Sequence, residues 1–141
     1  MDDLTAFWRA RLDEDEAAAN EAMRLPGCHW DASDGGQGRE RDGILWGEDR
    51  ASVIAWFDDH LAGARHAARH DPARVLREVE AGRAVLARHA PLPGVDGRLF
   101  CVWCSSDTDT VSLDWPWPCL DVRDRVTAYS DHPDYDPEWT L

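Results

Sequence analysis

A chain of 141 residues has the length of one ordinary domain. Its 43% hydrophobic and 30% charged residues place it with folded globular proteins, not with disordered or membrane-spanning ones. The formal net charge of -13 opposes condensation onto phosphate backbones or anionic lipid, so neither direct nucleic-acid binding nor membrane binding is expected.

All 15 cationic side chains are arginine, which excludes lysine-dependent devices such as a P-loop or a Schiff base and points to a GC-rich genome. No apolar run approaches the roughly 18 residues of a membrane span. The chain opens Met1-Asp2-Asp3-Leu4, acidic where a secretory signal is basic, and a cytoplasmic location is expected. In that reducing compartment the four cysteines argue for metal or redox chemistry before disulfides.

In chain order, Leu4, Phe7, Trp8, Leu12, Ala19, Ala22 and Met23 recur at helical spacing, and an amphipathic helix is predicted from Asp2 to about Leu25, stopped by Pro26-Gly27, with Arg24 in its last turn. Between Cys28 and Phe57 the Gly-rich run Asp34 to Gly38 and the pair Asp42-Gly43 alternate with Ile44-Leu45-Trp46 and Val53-Ile54-Ala55-Trp56. Short strands joined by tight turns are predicted there, with their register open.

A polar helix is predicted from Asp58 to His70. A second begins at Asp71-Pro72, an N-cap followed by proline at the first helical position, and carries an apolar face of Val75, Leu76, Val79, Val85 and Leu86. It ends near His89, since Pro91, Pro93 and Gly94 cannot continue it. Beyond this break, Leu99-Phe100 enters Cys101-Val102-Trp103-Cys104. A polar turn and a strand over Val111 to Trp115 are expected to follow, and then a short helix opened by Cys119 and ended before Pro133.

The predicted fold is therefore α+β: a long N-terminal helix, a small antiparallel sheet, central helices, and a C-terminal zinc knuckle and hairpin followed by a short helix. One domain is expected over residues 1–141, with a body over 1–90 and a metal-stapled part over 91–141.

Cys101 and Cys104, two residues apart, form a common half-site for tetrahedral zinc. Cys119, at a helix start, sits where the partial positive charge of the helix end favours a thiolate. A structural zinc needs a fourth ligand, and His89, closing the preceding helix, is the choice. Cys28 with its neighbour His29, and His132, are the alternatives, and iron is the alternative metal.

Against this stands a thioredoxin-like pair, which belongs between a strand and a helix, whereas a strand is expected to follow here. His66 and His70, four apart, lack the glutamate of a metalloprotease motif and read as solvated. The acidic run Asp13 to Glu16 points around a helix and reads as a solvated face. Of eight tryptophans, Trp8 and Trp56 are expected in the core, Trp103 within the knuckle, Trp115 and Trp117 as shields of the metal, and Trp139 exposed.

No Gly-x-Ser-x-Gly elbow, dinucleotide fingerprint or catalytic triad is present, and a closed four-ligand site leaves no position for substrate. The expected activity is thus protein–protein interaction by a small acidic zinc protein. A nucleic-acid mimic acting on a DNA-binding partner is one rival, and a small metalloenzyme or thiol oxidoreductase is the other.

Three blocks carry a resemblance: Asp2-Asp3-Leu4 through Ala10-Arg11-Leu12-Asp13-Glu14-Asp15-Glu16, Arg69-His70-Asp71-Pro72 through Glu80, and Tyr129-Ser130-Asp131-His132-Pro133-Asp134-Tyr135. With them the chain resembles a family of small uncharacterised proteins from actinobacteria and their phages. The resemblance extends to His89, Cys101, Cys104 and Cys119, which supports that ligand set, and it implies no activity. The chain departs from the family at Cys119-Leu120-Asp121, where Cys-Pro-Thr is usual, and in extra residues around Gly63-Ala64.

Overall fold

A computed structural model describes residues 3–24, 27–105 and 116–140. They form two compact units, one of Met1–Asp13 with Glu80–Leu141 and one of Glu14–Val79. The fold is α+β, with the elements α1 (Asp3–Ala22), β1 (Asp31–Asp34), β2 (Gly43–Trp46), β3 (Val53–Phe57), α2 (Leu61–Arg69), α3 (Pro72–Arg88), β4 (Pro91–Pro93), β5 (Leu99–Cys101), α4 (Val102–Ser105) and α5 (Leu120–Val126).

In the unit of Glu14–Val79, β1, β2 and β3 make an antiparallel meander, with Asp31 opposite Trp46 and Gly43 opposite Phe57. The strands are the short ones the sequence suggests, but Gly43 is the first residue of β2 and not part of a turn. Its task is close approach: a Cβ there would come within 2.6 Å of the Ala64 Cβ. Helix α2 therefore lies directly on the strand, and Ala64 is fully buried.

This helix starts three residues later than its acidic lead-in suggests. Asp59 takes a left-handed backbone (φ 50°), which no helix tolerates, its N–H donates to Asp42 Oδ1 at 2.6 Å, and the Leu61 N–H donates to the Arg41 carbonyl. The chain is thus pinned to the β1–β2 connection before helical hydrogen bonding begins.

Helix α3 begins as the sequence dictates. Asp71 Oδ1 accepts the Arg74 N–H at 2.7 Å, the N-cap bond that satisfies an orphan donor, and Pro72 fills the first helical position. Arg74 Nε then reaches Glu78 Oε1 at 2.6 Å, one turn on. Trp56, expected in the core, is 44% exposed on the edge strand β3, under the Arg39 guanidinium. A five-residue strand has two faces, and α2 covers only one of them.

In the other unit the apolar stripe of α1 is buried at Leu4, Phe7, Trp8 and Leu12. Gly82 on α3 lets the two helices close up, since a Cβ there would stand 2.8 Å from Leu12 Cδ2. Arg83 ties the same pair through Asp13 at 2.6 Å. Val122 and Val126 of α5 are fully buried, so the last helix is anchored by its apolar side.

After α5 come two short 3-10 turns, Thr127–Tyr129 and Pro137–Trp139. Trp139 is not exposed as expected: its ring lies 5.0 Å from that of Phe7, which also meets His132 at 5.6 Å and Tyr135 at 6.0 Å. Arg11, buried, donates to His132 Nδ1 at 3.0 Å and lies over the Phe7 ring. The first and last sequence blocks thus meet in one aromatic cluster. Replacing Phe7 by Ala removes its centre and should destabilise the protein by about 3–5 kcal/mol, read as a lower urea midpoint at unchanged slope.

Candidate metal centre

The break after α3 is a strand. Despite its two prolines, Pro91–Pro93 pairs antiparallel with Leu99–Cys101, placing Pro91 opposite Cys101. Prolines are tolerated because β4 has one strand partner and can leave its other edge without donors. The described hairpin is that of β4 and β5, and its second strand ends on Cys101. The expected strand Val111 to Trp115 lies outside the described residues, and Phe100 makes a single bridge to Pro116.

Cys101 ends β5, and the one-turn helix α4 carries Cys104. A helical turn, and not a strand, follows the first cysteine. Secondary structure alone therefore does not separate this pair from a thioredoxin-like one. What separates them is the company the sulfurs keep.

His89 closes α3, its N–H bonded to the Val85 carbonyl, and the next element begins two residues later, so the imidazole is held beside the hairpin. Cys119 is the N-cap residue of α5, and its sulfur lies with the other three donors. His89, Cys101 and Cys119 are buried and Cys104 is half-buried. One ligand atom from each of the four lies within 4.8 Å of all the others.

His89 Nδ1 is 3.4 Å from Cys101 Sγ, 3.6 Å from Cys104 Sγ and 3.5 Å from Cys119 Sγ. A ring nitrogen has one in-plane lone pair or one N–H, enough for a single directed bond to one sulfur. Near-equal separation from three sulfurs instead describes the edges of a tetrahedron. With Zn–N of about 2.0 Å and Zn–S of about 2.3 Å at the tetrahedral angle, the N···S edge is about 3.5 Å. The donor set and its spacing therefore fit one ion at the centre, and the cluster can hold a metal.

Without an ion, burial pushes the Cys104 thiol up to about 12, with the neighbouring Cys101 and Cys119 sulfurs adding to it. Burial also raises the Cys119 thiol, against a Val122 N–H that favours the thiolate. The helix start assists Cys119 as its position suggests, but desolvation outweighs that help in the absence of a cation.

The other candidates lie elsewhere. Cys28 Sγ is 3.7 Å from Glu48 Oε2 and His29 Nδ1 is 3.3 Å from Asp71, both in the Glu14–Val79 unit. His132 Nδ1 is occupied by Arg11. The His66 and His70 rings lie 4.6 Å apart, tilted by 43°, on an exposed face, and no third ligand joins them among the described residues.

Trp117 is buried two residues before Cys119, and Trp115 lies outside the described residues. Trp103, between the paired cysteines, turns outward, 58% exposed, with the Arg88 guanidinium 5.7 Å from its ring centroid. Asp121 was not singled out as a site residue in the sequence. It stands 3.8 Å from His89 Nε2, and its position two residues after a ligand, in the same helical turn, is the signal that could have found it.

No helix among the described residues is long and apolar enough to cross a membrane. No curated protein and no solved structure matches the chain. A family model, described as a family of unknown function (DUF6221), matches residues 1–141. Matched over that whole span, the chain belongs to this family of unknown function.

Proposed function

We propose that this is a small acidic protein stapled by one structural zinc ion on His89, Cys101, Cys104 and Cys119, and that it acts through contacts with another protein in a reducing, cytoplasmic setting. The observation that carries the metal reading is the near-equal distance of His89 Nδ1 from three sulfurs. Three soft thiolates and an imidazole in tetrahedral spacing suit zinc best among the common divalent ions. Four protein donors fill its coordination shell, which favours a structural over a catalytic role.

The interaction reading rests on what the ligand-bearing elements present outward. Val102 and Trp103 lie between two ligands, Leu120 follows a third, and Leu92 sits on β4; all four are more than 40% exposed. Aromatic and aliphatic side chains held rigidly on such a support are the usual anchors of protein interfaces. The net charge of -13 favours a protein over a nucleic acid as the partner.

Native mass spectrometry of protein purified without added metal tests the first half. One zinc per chain is expected, lost on replacing Cys101 by Ser. A metal-free chain that stays folded and takes up no zinc would refute it.

A further inference from the structure

His89 has two ring nitrogens, and the sulfur cluster faces only one of them. The other, Nε2, lies 3.8 Å from Asp121 Oδ2. Asp121 belongs to the first turn of α5, directly after its N-cap residue Cys119, so one turn of backbone sets both a sulfur on one side of the imidazole and a carboxylate on the other. Val85, Arg88, Asp124 and Arg125 complete a small polar pocket over this edge of the ring.

An imidazole that binds a cation through Nδ1 keeps its proton on Nε2, and that N–H is a donor in search of an acceptor. His89 is buried, and the pocket opens onto this edge of its ring. The carboxylate stands just beyond hydrogen-bond length, and its side chain is 67% exposed. That exposure leaves the carboxylate room to turn toward the ring.

We propose that Asp121 is the positioning residue of the centre: it accepts the Nε2–H of His89, holds the ring in the tautomer whose Nδ1 faces the three sulfurs, and raises the donor strength of that nitrogen. The inference rests on the metal reading above and adds to it a residue that is not a ligand. A carboxylate behind a ligating imidazole fixes ring orientation, and its loss typically weakens metal binding by about 10- to 100-fold.

The test uses the full chain with Asp121→Ala, Asp121→Asn and Asp131→Ala. Zinc affinity is read by competition with a chelator, and the His89 Nε2–H by nitrogen-resolved NMR of the zinc-loaded protein. Asp121→Ala should still bind one ion, about 10- to 100-fold more weakly, with an Nε2–H that exchanges faster with water. Asp121→Asn keeps an acceptor oxygen and should recover most of the affinity with a protected Nε2–H.

Asp131→Ala removes the same charge from an exposed position outside this pocket and should stay within about twofold of the parent. Equal affinity and an unchanged Nε2–H in Asp121→Ala would overturn the proposal. So would a loss in Asp131→Ala as large as that in Asp121→Ala. A parent chain that binds no zinc sinks the metal reading along with it, whereas a parent that binds and an Asp121→Ala variant that binds equally well sinks the positioning role alone.

Discussion

Stripping the proposed zinc ion should unfold at least the part of the chain from Pro91 onward. A structural zinc site contributes about 10–16 kcal/mol of apparent binding free energy, against about 5–15 kcal/mol for the net stability of a whole domain. The elements it joins have little else of comparable size: β4 and β5 have three residues each, α4 has four and α5 has seven. A four-residue helical turn is far below the length at which a helix persists on its own.

Excess chelator should therefore lower the melting temperature sharply and expose the Trp117 indole, seen as a red shift in fluorescence. Zinc added back should reverse both. Protein whose melting is unchanged by chelator would contradict a structural ion.

The second large effect is on pH. In the ion-free cluster the thiols of Cys104 and Cys119 are both pushed upward, chiefly by burial, so at neutral pH they carry protons that zinc must displace. Each displaced proton makes affinity change tenfold per pH unit, so zinc affinity should rise by at least about two decades per unit between pH 6 and 8, or about 2.7 kcal/mol per unit. Chelator competition at several pH values measures the slope, and a slope below one would rule out two thiol ligands.

The parts of this architecture that could be read from the residues are those set by local rules. Asp71-Pro72 specifies a helix start through one side-chain bond and one fixed torsion, and both are realised. The spacing of Cys101 and Cys104 specifies a tight turn, and the placement of His89 at a helix end and Cys119 at a helix start brings them to the same point.

What escaped was set by partners remote in sequence. Pro91–Pro93 reads as a breaker because a proline offers no donor, yet it needs only a strand on one side. Trp56 and Trp139 have similar chemistry and opposite fates, since one faces outward from an edge strand while the other finds Phe7. Asp121 carries no motif, and its relation to His89 exists only once α5 is docked.

The ring cluster around Phe7 also bears on how the chain is made. Phe7 and Arg11 leave the ribosome long before His132, Tyr135 and Trp139. The Arg11–His132 bond alone spans 121 positions. Until those later residues emerge the apolar face of α1 is therefore without its final cover, and the sulfur cage cannot close before Cys119 has emerged. Contacts of such long sequence separation form late and slowly, and the uncovered face is open to association in the interval. A nascent chain of this protein should thus be most dependent on chaperones until His132, Tyr135 and Trp139 have emerged, and yield in the cell should respond to zinc supply and chaperone level more than to the stability of the finished molecule.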